Sequence, residues 1–255
     1  MDFDSPYTTV ATWPANHRAA VVVLVHIDAP TLEPPAPSSV SGFDYAASGL
    51  QRLLKAFADL DIPVSTAWTA RAVSTLPQLA RSAAEAGHEL AVSYVGAPAE
   101  KGGETTVDRV SDAPVTGYVQ SLPLVCLTEV TSSLVREAAW AITGIGGDVP
   151  VPTSVDGGQG LTVIPVSPYW TDSTWLPPER PLPPSSLLEA WSLGLAAVRE
   201  EGGLMTVVLQ PHISGRPGLS GQIVRFLDEV IECGDVWVAT AGQVAEWWTM
   251  GRDDT

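Results

Sequence analysis

Hydrophobic residues follow two rhythms along this chain. The run Ala19–Ile27 (AAVVVLVHI) is almost wholly apolar and rich in β-branched residues, and no helical period passes through it. Such a run suits a strand buried on both faces. From 44 to 60 the interval changes: Tyr45, Leu50, Leu53, Leu54 and Phe57 fall at helical spacing behind Asp44, the predicted N-cap. Residues 62–68 (IPVSTAW) and Glu89–Tyr94 (ELAVSY) read as two further strands. Between them 76–86 (LPQLARSAAEA) reads as a helix with proline in its first turn and Gly87 at its stop. Strand, helix, strand, helix, strand predicts a parallel sheet with right-handed crossovers.

Beyond Gly96 the pattern loosens. Residues 97–115 are polar, glycine-rich and acidic, and predict an excursion over the mouth of the sheet. Segments 124–127 and 161–166 read as strands and 132–142 as a helix. Residues 169–184 hold two tryptophans and five prolines and predict an ordered loop, of a length that is often functional. The last third is regular again: a helix over 185–201 stopped by Gly202 and Gly203, a strand Leu204–Leu209, a helix over 221–233, a strand Val236–Ala239 and a closing helix over 241–248. This alternation predicts an α/β fold, a (β/α) barrel that is distorted or short of eight strands, formed by a single domain over 1–255.

Composition narrows the functions open to such a barrel. With 255 residues and 45% hydrophobic content there is material for one large core. A net charge of −16, from 29 acidic against 13 basic residues, would repel a polyanion, so no nucleic-acid partner is expected. Cys126 and Cys233 lack the spacing of a zinc knuckle and are expected to be buried apolar residues. The N-terminal MDFDSPYTTVATWP does not read as a secretory signal, and the longest apolar run, 19–25, is far below the roughly 20 residues that cross a bilayer. A soluble, cytoplasmic protein without a membrane partner is expected.

Four segments carry a family resemblance: VVLVHIDAP at 22–30, IPVSTAWTARAVSTLPQLARSAAEAGHELA at 62–91, TVVLQPHISGRPG at 206–218 and GDVWVATAGQVAEWW at 234–248. In their order, and in the strings GHE, SGRPG and VWVAT, they resemble the polysaccharide deacetylase (NodB-homology) family, especially its allantoinase-like and peptidoglycan-deacetylase-like branch. The resemblance implies an Asp-x-Asp pair ending the first strand, the first aspartate a catalytic base and the second a metal ligand. Here the pair reads His26-Ile27-Asp28. It also implies two metal-binding histidines, and Ser93 and Ala97 stand at their positions. An arginine is implied after a Gly-Tyr pair, and Gly117-Tyr118 is followed by Val119. A His-Pro pair is implied near the C-terminus, and the chain has Gln210-Pro211. A hydroxyl is a weak ligand and a methyl group none, so no metal site and no other cofactor is expected.

What remains at the predicted mouth is His26 and Asp28 as catalytic candidates. Alternation along a strand points both the same way, and an imidazole beside a carboxylate can serve as a general base near neutral pH. Ser93, Tyr94, Tyr118, Gln210, His212 and Arg216 are candidates for contact with a small-molecule substrate. Trp170 and Asp172 join them from the proline-rich loop, where the tryptophans either stack on a planar ring or pack the loop. His88, in the GHE string, is expected to be structural, and His17 to lie at the surface. The tryptophans at 68, 140, 191, 237, 247 and 248 are expected in the core or an interface. The resemblance also implies a homo-oligomer, a dimer or tetramer.

Three functions follow from this pattern. The first is a metal-independent hydrolase of a C–N bond in a small cyclic amide, imide or ureide, because the branch it resembles includes enzymes that act on such rings without the usual zinc. The second is a repurposed acid-base enzyme of a biosynthetic pathway, an isomerase, cyclase or dehydratase. The third is a catalytically inactive binding subunit.

Overall fold

All nine residues of the apolar run Ala19–Ile27 are buried, and they form strand β1. A computed structural model of the protein describes residues 12–28, 42–94, 115–120, 140–142, 151–154, 161–176 and 182–253. After β1 come α1 (Gly42–Asp59), β2 (Ser65–Trp68), α2 (Ala70–Thr75), α3 (Pro77–Glu85), β3 (Glu89–Tyr94), β4 (Val115–Gln120) and β5 (Trp140–Ile142). They are followed by β6 (Thr153–Ser154), β7 (Thr162–Val163), a 3-10 turn (Pro168–Trp170), α4 (Asp172–Trp175) and α5 (Pro184–Glu201). The chain then runs through β8 (Leu204–Leu209), α6 (Pro211–Ser214), α7 (Pro217–Glu232), β9 (Val236–Ala239) and α8 (Ala241–Asp253).

The strands form one sheet in the order β6-β7-β5-β4-β3-β2-β1-β8, with β9 also paired to β1. Pairing is parallel except between β6 and β7. Strand β1 pairs with β8 from Ala20 to Val25, with β9 from Ala19 to Val22 and with β2 from Leu24 to Ile27. So β9 and β2 divide one edge of β1 between them. Among the described residues the sheet does not close by strand pairing, and a single parallel bridge adds Thr171 beside Val208 of β8.

Alternation along the strands separates two cores. Val21, Val23, Val25 and Ile27 pack under the helices, against Leu50, Leu53, Phe57, Trp191 and Phe226. Ala20, Val22 and Leu24 face inward with Ala67, Ala91, Trp140, Leu204 and Val208, and Ala241, Val244 and Ala245 of α8 plug that inner core. Each fully buried large apolar side chain is worth about 1.5–3 kcal/mol, so a one-residue slip of β1, which exchanges the two sets, is strongly disfavoured. The register is therefore fixed, and with it the direction His26 faces.

The predicted strands β1, β3, β8 and β9 have the expected bounds, and the helix stops at Gly87 (φ 81°) and Gly202 (φ 77°) lie in the left-handed region that glycine tolerates. Several expectations are corrected. Residues 140–142, read as the end of a helix, are strand β5, paired with Gly117–Val119 of β4. A short apolar run does not reveal its own period, and the pairing decided. Strand β4 itself and the short helix α2 were not foreseen. Helix α1 already begins at Gly42, which places Asp44 inside its first turn and not at the cap. The predicted strand over 161–166 is reduced to two residues, and the loop over 169–184 contains the short helix α4. Residues 97–114, 124–127 and 132–139 lie outside the described residues. Among the described residues no helix is long and apolar enough to cross a membrane.

Candidate active site at the C-terminal mouth of the strands

Because Ala20, Val22 and Leu24 face the inner core, the same alternation turns His26 and Asp28 inward where β1 ends. On β3 the inward Ala91 is followed two residues on by Ser93, and on β2 the inward Ala67 is followed by Thr69. Three strand ends thus converge. His26 Nε2 lies 2.7 Å from Ser93 Oγ, and both residues are buried. Thr69 donates its hydroxyl to Asp28 Oδ1 at 3.1 Å while accepting from the backbone N–H of Ala72 as the cap of α2. One threonine therefore holds the carboxylate and starts a helix.

Burial pushes the His26 imidazole down to about 4; the Asp28 charge opposes this, and His212 reinforces it. His26 is accordingly neutral at pH 7, with a ring nitrogen free of a proton. His212, on α6, is also lowered, chiefly by burial, with Arg216 lowering it further and Asp28 pulling the other way. Two imidazoles and one carboxylate thus lie within one another's electrostatic reach.

Gln210 follows β8 one residue beyond the Val25–Leu209 pair and two beyond the inward Val208, level with His26 on the neighbouring strand. Its backbone N–H donates to Asp172 Oδ2 at 2.7 Å, and its side-chain amide reaches Ser173 Oγ at 3.3 Å. The Ser214 hydroxyl donates to the same Asp172 oxygen at 2.7 Å. Asp172 has no exposed surface, and desolvation raises its carboxyl to about 7 against the opposing hydrogen bonds from Gln210 and Ser214. Asp172 thereby ties α4 to the turn that presents Gln210 and His212. Below that turn, Gly215 and Gly49 of α1 touch so closely that a Cβ built on Gly215 would lie 2.4 Å from Gly49 Cα. The first glycine of the SGRPG string is thus required by contact between α1 and the end of α6.

The remaining candidates lie elsewhere. Trp170 seats its ring on Gly194 of α5, the loop-packing alternative for this side chain. Two further indoles fix the same loop, as Trp175 and Trp191 both donate to the carbonyl of Tyr169, at 2.7 and 3.0 Å. Arg216 is exposed and donates from Nε to the carbonyl of His212 at 2.8 Å. Tyr94 and Tyr118 lie in β3 and β4, paired with Gln120 and Val92 respectively, and their side chains are outside the description. His88 is buried edge-on against Phe57, and His17 is half-buried. Cys233 is a half-buried free thiol beside the outer core, whereas Cys126 lies outside the described residues. Thr69 and Ser214 were missed; for Thr69 the signal was present, a capping hydroxyl two residues beyond an inward strand position.

The resemblance implies a metal ion at this mouth. Asp28 is half-buried and held by Thr69, but at the position of the first imidazole ligand stands Ser93, whose hydroxyl is engaged by His26. Ala97 lies outside the described residues. Among the described residues no group of three or more His, Cys, Asp or Glu side chains is arranged to hold an ion. These residues do not fit the implied site.

No family model matches the sequence, and no curated protein matches it. Solved structures do. A protein of Mycobacterium smegmatis assigned as a polysaccharide deacetylase is 25% identical, with a TM-score of 0.80 and 92% of each chain covered. The Puue allantoinase is 16% identical, with a TM-score of 0.74 over 97% of this chain and 98% of that one. A mutant of a CE4 family pseudoenzyme is 11% identical at a TM-score of 0.55, over 90% of this chain and 68% of that one. With the inward-facing strand ends and this likeness together, the chain has the polysaccharide deacetylase-like, NodB-homology fold.

Proposed function

We propose that the protein hydrolyses a C–N bond in a small cyclic amide, imide or ureide without a metal ion, with His26 as general base and Asp28 stabilising the imidazolium that forms. The observation that carries this reading is the neutral His26 held at the mouth, inward of Asp28 and in contact with Ser93. The likeness to an assigned polysaccharide deacetylase and to an allantoinase supports amide hydrolysis as the chemistry. In this scheme the unprotonated ring nitrogen of His26 takes the proton of the attacking hydroxyl group and later delivers it to the departing nitrogen. Substrate is held by Ser93, Gln210 and His212, with Tyr94 and Tyr118 on the adjoining strands and Arg216 at the periphery. The Gln210 amide, held only at 3.3 Å by Ser173, is the neutral donor available to a developing oxyanion.

The test is a panel of hydantoins, ring amides, ring imides and acetylated sugars, offered to protein stripped with a chelator and to protein given zinc. Turnover of a ring substrate by the stripped protein, reduced about 100-fold or more by His26→Ala, is the expected result. Inertness towards the whole panel would overturn the reading in favour of an inactive binding subunit. Turnover of acetylated sugars alone, and only with zinc, would return the protein to metal-dependent deacetylation.

A further inference from the structure

We infer that Ser93 is the attacking nucleophile, so that hydrolysis passes through an acyl group carried on its hydroxyl oxygen. This rests on the hydrolase reading above and names its reacting atom. A serine hydroxyl is unreactive at its own pKa and becomes a nucleophile when a base lies within hydrogen-bond reach and a third group steadies that base. Both conditions have a counterpart here. Ser93 Oγ is 2.7 Å from His26 Nε2. Burial disfavours the protonated imidazole and the Asp28 charge works against that, and Asp28 is itself held by the Thr69 hydroxyl. Both reacting residues sit on strands, 67 positions apart in sequence but fixed by the β1–β2 and β2–β3 pairing, so their contact does not depend on a loop.

With the imidazole proton on Nδ1, Ser93 donates its hydroxyl hydrogen to Nε2. In the first half-reaction Oγ bonds to the substrate carbonyl carbon, and the hydroxyl proton passes to Nε2. The tetrahedral centre collapses, the C–N bond breaks, and His26 returns that proton to the nitrogen. For a ring substrate the freed amine stays tethered to the acyl group. Water then attacks the ester, giving a proton to His26, the bond between the acyl carbon and Oγ breaks, and Ser93 recovers its hydrogen. No oxidant, reductant or metal enters the balance.

The probes are an alkyl fluorophosphonate, whose phosphorus bonds to an activated serine with loss of fluoride, and p-nitrophenyl acetate, whose acetyl group can be trapped by acid quenching. Intact mass and peptide mapping are expected to show one phosphonyl group, on Ser93, absent from Ser93→Ala and formed at least about 100-fold more slowly in His26→Ala. A Ser93→Cys variant guards against misfolding of the alanine form. Its thiol should react with iodoacetamide faster than the thiol of the Ser93→Cys, His26→Ala double variant. Absence of any Ser93 adduct, or equal rates with and without His26, would overturn the inference. If ring amides are turned over by wild type and Ser93→Ala alike, Ser93 is not the nucleophile, while the hydrolase reading stands with water activated by His26 directly. If Ser93 is labelled through His26 but no C–N substrate reacts, the nucleophile stands and the substrate class falls.

Discussion

Asp172 is a carboxyl group kept from water on every side, and its position makes a statement about pH. Burial raises it to about 7 from an ordinary value near 3.8. Between those values the folded protein holds a proton that the unfolded chain has released. Stability therefore falls as pH rises through that window, by up to about 1.4 kcal/mol per unit for one such group, and levels off above 7. Taken alone, this residue lowers stability at pH 8 relative to pH 5 by about 1–3 kcal/mol, while the lowered His26 contributes in the opposite direction to wild type and variant alike. Asp172→Asn keeps an acceptor for Gln210 and Ser214 but has no charge to bury, so urea unfolding should show it gaining about 1–3 kcal/mol on wild type between pH 5 and pH 8; an equal change in both proteins would place the titration elsewhere. Sequence reading singled out Asp172 but not its partners, because they lie 38 and 42 residues away and only tertiary folding brings them together. The pairing of His26 with Asp28 was legible, since it depends only on the alternation of a strand. That Ser93 would meet His26 needed β2 placed between β1 and β3, and single-strand patterns do not carry that order.

Helix α5 shows how one element receives another. The sequence places this helix almost to the residue, with its stop at Gly202, yet Gly194 in its middle looks like a weakness, worth about 1 kcal/mol against alanine in helix propensity. The Trp170 ring explains it: a Cβ at position 194 would stand 1.9 Å from an indole carbon. Gly194→Ala should thus destabilise the protein by about 1–3 kcal/mol despite its better propensity, because the loop over 168–175 must lift off the helix. A double-mutant cycle with Trp170→Ala separates the two effects. If the Gly194→Ala penalty is lost or reversed once Trp170 is truncated, the contact is its cause; a penalty that persists would point to the helix itself. Strands β4 and β5 mark the opposite limit, where the elements are short and their pattern faint. They exist through pairing with each other and with β3, a stabilisation that no local window of sequence displays.

At the scale of the molecule, the inner face of β3 joins the two ends of the fold. Ser93 stands at the mouth, and Glu89, four residues back on the same inward face, stands at the opposite end. There its Oε2 accepts from the Ser65 hydroxyl at 2.6 Å and from the Gly242 N–H at 3.2 Å, and its Oε1 accepts from the Trp140 indole at 2.9 Å. Ser65 in turn accepts from the Ala241 N–H at 2.8 Å. One carboxylate therefore links β2, β3 and β5 to the N-terminus of α8, where the helix dipole favours negative charge. The glutamate of the GHE string is a structural tie on these contacts, at the end remote from the chemistry. Glu89→Ala should cost about 1–3 kcal/mol, since it strands the donors of Trp140, Ser65 and α8. Glu89→Gln should recover only part of this, because one of its two terminal atoms is a donor facing donors. Below the unfolding midpoint the labelling rate at Ser93 should stay at its wild-type value, since the β1, β2 and β3 pairing that sets the His26–Ser93 contact is untouched. Reduced labelling in fully folded Glu89→Ala would mean that the bottom of the sheet sets the geometry of its mouth. Unchanged labelling with lowered stability would show that holding the sheet together and placing the reactive pair are carried by different residues of the same strand.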